Sequence, residues 1–574
     1  MISFESFKEI WIADFEFISL PGELPEPVCI TAKELCSGTW RVQWLVGSQN
    51  PPPLYPTGKD TLFIAYFASA EMGCHLQLGW DIPCNILDLY AEFRNHTNGL
   101  PTPSGSGLLG ASAYFGIQGC TAGEKTEMRD LVLRGGPWTP EEQLSILTYC
   151  MSDVEACERL FYAMEGIIDL PRALMRGRYM GAVAWMERNG VPIDRKTHRA
   201  LVKHFDPMKA MLVDDIDRNF GVYEGTTFKV NRWIQWVNEH GVSWPLLDTG
   251  YPSLDDETFR ELATIYPEIA PIKDLRYVLG QMKLNDLAVG SDGRNRCLLS
   301  PFRSVTGRNQ PSSTKYIFGP AIWLRNLIQP EPGKGVAYVD YAQQEFGIAA
   351  ALSGDFYMLD AYRSGDPYLM FAIQAGAVPE DATKQTHPHE RELFKQCTLA
   401  VQYGMGAHSL SRRIGEPTAV AQNLLDLHRK TYAAFWKWSD SVVTYAALHN
   451  KIWTRFGWYY HVSDNFRERT VRNFLMQANG AEILRLACCR ALDAGIKVCA
   501  PVHDAILIEA PADKLSSAIA TTQREMGEAS KIVLDGFELR TDADQWVYPD
   551  RYSDPRGTDM WKRVMALLAR CEHG

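Results

Sequence analysis

Several residues of this chain stand at spacings that could do metal-dependent chemistry. Near the N-terminus, WIADFEF (11–17) carries Asp14 and Glu16, and a strand would project both carboxylates from one face, with Phe15 and Phe17 on the other. Glu71 follows a second apolar run, and Tyr149 and Asp153 lie four apart in a helical pattern, so they share a helix face. Carboxylates placed together in this way need positive charge between them, and a hard divalent cation with oxygen ligands is the natural partner. In the second half, Asp340 ends the apolar run of AYVDYAQQEFGIAA (337–350), where helix-like spacing begins at Gln343, and Asp504 stands at the turn between the two apolar runs of KVCAPVHDAILIEAP (497–511). Taken singly, Asp340 reads better as a helix N-cap, and each N-terminal acid as solvated surface. Only their joint placement favours a site.

Between Asp340 and Asp504 lies RELFKQCTLAVQYG (391–404), in which Arg391, Lys395, Leu399 and then Gln402 or Tyr403 form one helical stripe. Two cations one turn apart match the spacing of successive phosphates in a triphosphate and would stabilise a pyrophosphate leaving group. Arg469, Asn473 and Gln477 also recur every four residues, and amide side chains can donate to acceptors common to all base pairs in a minor groove. In FRSVTGRNQPSS (302–313), Gly307 and Arg308 suit a close backbone approach and one guanidinium contact.

The elements that must position these groups belong to a chain too long for one core. At 574 residues and roughly 150 residues per domain, three or four units are expected. A net charge of −11 excludes a protein that coats nucleic acid over its whole surface, although Arg391, Lys395, Arg412 and Arg413 concentrate positive charge against Glu392 alone. The thirteen cysteines form no C-x-x-C, so neither a zinc site nor a disulfide framework is indicated, and a reducing, cytoplasmic setting is expected. The first residues are acidic and interrupted, unlike a signal peptide, and no apolar run reaches the ~18 residues of a membrane span. Residues 1–165 read as an α/β unit whose helix starts at Thr139 as N-cap, Pro140 at N1 and Glu142 at N3. Residues 95–123 read as loop, and residues 166–300 as mostly helical.

The DFE of Asp14 and Glu16 with the Y-x-x-x-D of Tyr149 and Asp153 resembles the 3′-to-5′ exonucleases of the DEDD class that carry a tyrosine. That resemblance implies an RNase H-like fold, two metal ions held by Asp14, Glu16, Glu71 and Asp153, and a water oriented by Tyr149. The second motif departs, with Glu71 where the family has Asp, and Asp88 is the reserve ligand. The motifs D-Y-x-Q-x-E (340–345), R-x-x-x-K…Y-G (391–404), T-G-R (306–308) and V-H-D (502–504), in this order, resemble family A DNA polymerases, the group of bacterial DNA polymerase I and phage replicases.

The second resemblance implies a multidomain α/β and α+β chain. An exonuclease domain (1–165) would precede a right-hand polymerase: helical connector and thumb (166–300), first part of the palm (301–360), fingers (361–460), second part of the palm (461–550) and a C-terminal tail (551–574). It implies that Asp340 and Asp504 bind two Mg²⁺, with Mn²⁺ as a substitute. Arg391 and Lys395 would hold the triphosphate, Tyr403 would stack near the templating pair, and Glu345 would exclude a ribose 2′-hydroxyl. Arg308, Asn473 and Gln477, with Arg469 on the same helix, would meet the minor groove, and His503 the primer terminus. Leu399, Tyr368 and Ala505 depart from the family pattern. Implied partners are primer–template DNA and dNTPs, with no membrane, for a monomer of phage or plasmid replicase type in the cytoplasm of a bacterial or infected cell. Two other readings stay open: an exonuclease with a degenerate polymerase half, and a non-catalytic nucleic-acid scaffold.

Overall fold

The computed structural model describes residues 2–573 except 118–121, 283, 285, 320, 403, 464 and 465. The chain packs as two compact units, one of Met1–Gly190, Leu298–Gln310 and Ala337–Asp544, the other of Val191–Cys297, Pro311–Val336 and Gln545–Gly574. No helix among the described residues is long and apolar enough to cross a membrane.

The first unit contains two sheets. In the N-terminal one, the strands lie in the spatial order Trp40–Trp44, Glu26–Glu34, Glu9–Ile18, Thr61–Ala65, Ile86–Asp88. The central strand pairs antiparallel with Glu26–Glu34 and parallel with Thr61–Ala65. Its alternation buries Ile10 and Ile12 with Leu62, Ile64, Val154 and Leu160, and a bulge between Glu16 and Phe17 bends it just past the two acids. Helix Pro140–Met164 packs across this strand. It begins with the expected capping box, Glu142 N–H donating to Thr139 Oγ1 at 3.2 Å and Thr139 N–H to Glu142 Oε2 at 2.9 Å.

The stretch expected as loop over 95–123 is partly helical. Helix Leu89–Thr97 runs into it, Leu108–Tyr114 forms another, and Ala122–Arg134 begins within it. Leu108 and Ala111 join the core, so small residues that read as loop composition serve close packing instead.

The second sheet has the order Lys497–Val502, Ala505–Pro511, Lys334–Tyr341, Thr541–Val547, with helices Glu468–Asp493 and Leu515–Val533 packed on each other and against its hairpin. The strand carrying Asp340 continues to Tyr341, and the N-cap of helix Gln344–Ser353 is Gln343, at φ +47°. Asp340 is therefore a strand residue and caps nothing. Helices fill most of the span from Phe356 to His449.

The second unit is helical, as expected for most of 166–300. Trp233, Trp236 and Phe259 are buried within it, and the terminal helix Thr558–His573 is held to Arg195–Asp217 by Arg570 on Asp215 at 2.8 Å.

Candidate active sites

At the second sheet, Asp340 and Asp504 come together. Val502 pairs with Ala505 across the hairpin, leaving His503, at φ +56°, and Asp504 as its two-residue turn. Tyr341 N–H donates to Asp504 O at 3.3 Å, which fixes the turn beside the end of the neighbouring strand. The two carboxyls are within hydrogen-bonding reach, and burial, then the negative charge of Asp504, pushes Asp340 up to about 8. Asp504 is also raised by burial, against the pull of Arg308. Asp340 Oδ1 is buried with no hydrogen-bond partner. An orphaned carboxylate oxygen facing a second carboxylate is an arrangement that a divalent cation would satisfy.

A third acid shares this face, and sequence reasoning missed it. Ala342 N–H donates to Arg540 O at 2.9 Å, and Tyr548 N–H to Lys334 O at 3.1 Å. These two bonds frame one antiparallel ladder, and stepping along it sets Asp542 directly opposite Asp340, with side chains on one face. The charge of Asp542 adds to the upward push on Asp340. The signal in sequence was only an acid at alternate positions of TDADQWV (541–547).

Around this centre the expected residues fall into pairs. Arg308 donates to Glu345 at 3.1 Å, joining two residues that the sequence assigned to separate tasks. The loop that carries Arg308 is fixed by Arg485 donating to Gly307 O at 2.8 Å and Trp458 Nε1 to Val305 O at 2.9 Å. Gly307 sits at φ +72°, and a Cβ there would come within 3.1 Å of the Trp458 ring. On helix Pro388–Gln402, Arg391 donates to Asp366, the N-cap of helix Pro367–Gln374, and lies 5.7 Å over the Tyr368 ring. Lys395 pairs with Glu392 at 3.2 Å, and Leu399 is half-buried. Arg469 is exposed on helix Glu468–Asp493, where Asn473 and Gln477 are half-buried, and His503 is exposed at its turn. Tyr403 lies outside the described residues.

At the first sheet, Asp14, Glu16, Glu71, Tyr149 and Asp153 converge. Asp14 is pushed up to about 8 by burial, then by Asp153, with Lys125 pulling the other way. Glu16 is raised by burial and then by Asp14. Glu71, on helix Ser69–Leu78, is only 4% exposed. Burial, then Asp14 and Glu16, raises it, while the Phe15 N–H bonds its carboxylate, and its Oε2 has no partner. The reserve candidate Asp88 does another job. It caps helix Leu89–Thr97, accepting from Ala91 N–H at 2.6 Å and from Ala68 N–H. Tyr149 hydrogen-bonds Asp153, and burial followed by that neighbouring charge holds its phenol well above the usual range. Two further neighbours were not foreseen: Lys125, 2.7 Å from Asp153 Oδ2, and Cys150, whose thiol reaches Asp14 Oδ2 at 3.5 Å.

Comparison with known proteins bears on the fold and on the second half of the chain. Residues 313–543 match the family model described as DNA polymerase family A. The chain is 26% identical over 372 residues to DNA polymerase I of Chloroflexus aurantiacus, covering 58% of this chain and 38% of that one. It is 28% identical over 262 residues to the DNA polymerase of Mycobacterium phage D29, covering 44% and 42%. These matches span less than half the length of either relative. Among solved structures, the POL domain of Pol1 from M. smegmatis, in complex with DNA primer-template and dNTP, superposes with a TM-score of 0.68 at 17% identity, over 93% of this chain and 95% of that one. The chain thus has the mixed α/β fold of that POL domain structure, and its segment 313–543 matches the model of DNA polymerase family A.

Proposed function

We propose that this protein is a template-directed DNA polymerase of phage or plasmid replicative type with a separate 3′-to-5′ proofreading exonuclease site. The observation that carries the polymerase reading is the Asp340–Asp504 pair, with its orphaned Oδ1, inside the family A segment. The exonuclease reading rests on the buried acid cluster of the first sheet and the orphaned Glu71 Oε2. The five-stranded mixed sheet supports an RNase H-like body for that site, the second sheet a palm, and the helices after Glu345 the fingers.

Both carboxylate sets fit Mg²⁺ or Mn²⁺, being all-oxygen and under-bonded. In the palm Asp340 and Asp504 would hold the metal, with Asp542 facing them; in the exonuclease Asp14, Glu16, Glu71 and Asp153. Bound there, such ions supply positive charge to the reacting phosphate and acidify the attacking hydroxyl or water. The protein's own residues do the rest. Arg391, aligned by Asp366, and Lys395 meet the triphosphate of the incoming dNTP, with Tyr368 beneath Arg391 and Leu399 further along the helix, and Tyr403 serves the templating pair. Glu345, fixed by Arg308, faces the sugar. Asn473, Gln477 and Arg469 follow the minor groove of the primer–template, and His503 stands at the primer end. Tyr149, bonded to Asp153, orients the hydrolytic water. Asp542 offers a third carboxylate facing Asp340, which supports an active polymerase half although Ala505 and Leu399 depart from the family pattern.

Primer extension and primer digestion, assayed side by side, test this. Asp340→Asn is expected to abolish extension and leave digestion, and Asp14→Ala to do the reverse, each by at least ~10³-fold. Loss of both activities in a folded single variant would overturn the two-site reading.

A further inference from the structure

Lys125 enters the acid cluster from outside every motif. It lies on helix Ala122–Arg134, which packs against the strand of Asp14 and the helix of Asp153. Its Nζ is 2.7 Å from Asp153 Oδ2, in a pair whose side chains are 33% and 9% exposed, and 5.8 Å from the centre of the Tyr149 ring. Burial would lower its basicity, but Asp153, and then Asp14 and Glu16, outweigh that and keep it an ammonium.

Asp14 and Glu16 each place an oxygen, and Cys150 its sulfur, within 4.8 Å of one another, a group that includes neither Asp153 nor Glu71. Burial holds the Cys150 thiol protonated, and it donates to Asp14 O at 3.2 Å, so it orients Asp14 and is a poor ligand for a hard cation. The independent pointer to a cation is Glu71, 4% exposed, with Oε2 unpartnered and Asp14 and Glu16 as its nearest charges.

We propose that Lys125 is the resident second cation of this cluster, so that the site takes one divalent ion, on Asp14, Glu16 and Glu71, while the ammonium serves Asp153. This rests on reading the cluster as a metal-dependent exonuclease site and alters the number of ions it uses. An ammonium is a compact charge with three donors, and it already occupies the oxygen of Asp153 on which a second ion would draw. A divalent ion beside it would be repelled at short range in a poorly screened site. Lys125 is thus a positioning residue, acting through Asp153 and through the charge it places beside Tyr149.

The test counts ions rather than turnover. The full chain carrying Asp340→Asn and Asp504→Asn is titrated with Mn²⁺, and bound metal is measured by electron paramagnetic resonance and calorimetry, with folding followed by circular dichroism. One tightly bound Mn²⁺ is expected in this parent, one after adding Lys125→Arg, and two after adding Lys125→Met. Digestion by the Lys125→Met chain with an intact palm should fall about 100-fold. Two ions in the parent, or one ion of unchanged affinity in the Lys125→Met chain, would overturn the proposal and leave the exonuclease reading standing. If Asp14→Ala bound as much Mn²⁺ as the parent, the cluster would not be a metal site, and both readings would fall together.

Discussion

Single carboxylates carry the chemistry proposed for this molecule, and their burial makes them measurable. An aspartate that titrates near 3.8 when unfolded and about 8 when folded keeps an extra proton in the native state between those values. Its contribution therefore lowers metal-free stability as pH rises from about 4 to 8. Asp14 behaves in the same sense. Asp340→Asn removes the charge and should stabilise the metal-free protein at pH 8 by about 1–3 kcal/mol, with little change near pH 4; thermal melts in EDTA at the two pH values measure the difference. Mg²⁺ should raise the melting temperature of the parent at pH 8 and act less on the variant. Glu345 poses a separate question, because Arg308 holds it at 3.1 Å and so fixes where its carboxylate can stand. Glu345→Ala is expected to raise ribonucleotide incorporation roughly 10- to 100-fold relative to dNTP, read from extension with mixed nucleotides. Unchanged sugar selectivity would remove Glu345 from that task.

Elements place these residues, and helix Gln344–Ser353 shows how closely. At Gly347 a Cβ would fall 2.5 Å from Leu539 Cδ2 and 2.9 Å from Tyr362 Cε2. Tyr362 is buried, donates its hydroxyl to Ala342 O at 3.0 Å and accepts from Arg540 N–H at 2.9 Å. It therefore bridges the strand ends that carry Asp340 and Asp542. Gly347→Ala should cost about 1–3 kcal/mol by overpacking and reduce extension while sparing digestion, a pairing that melts and the two assays would reveal. Much of this scale was legible in the sequence. A period of two put Asp14 and Glu16 on one face, and the Thr139 capping box started the helix that delivers Tyr149 and Asp153. The hairpin turn at His503 and Asp504 was equally plain, being local. Lys125, Asp542 and the Arg308–Glu345 pair were not legible, because each depends on which distant element packs alongside. Asp542 gains meaning only from the ladder register with Asp340, and Lys125 only from a helix whose start reads as loop composition.

Across the molecule, the N-terminal sheet body and the second-sheet site belong to one compact unit, and the contacts between them are buried and polar. Arg176 makes a two-pronged bond to Glu92 at 2.6 and 2.7 Å, with both side chains under 10% exposed. Asn98 donates to Val305 O and Tyr459 O at 2.6 Å each, and Asn95 donates to Gly457 O at 3.0 Å and accepts from Tyr459 N–H at 2.8 Å. These bonds pin the loop of Gly307 and Arg308 from the N-terminal side, so the N-terminal sheet body also acts as a brace for the second-sheet site. Removing residues 1–165 would strip Arg176 of its carboxylate and leave the backbone groups of 305, 457 and 459 without those partners. The buried hydrogen bonds lost with that segment are worth about 1 kcal/mol each, which together lower the melting temperature by roughly 5–10 °C. The fragment 166–574 is therefore expected to melt earlier than the Asp14→Ala full chain and to extend primers more slowly, whereas the point variant keeps the brace and extends normally. Equal melting temperatures and equal extension rates for the two would show that the polymerase site stands without its neighbour.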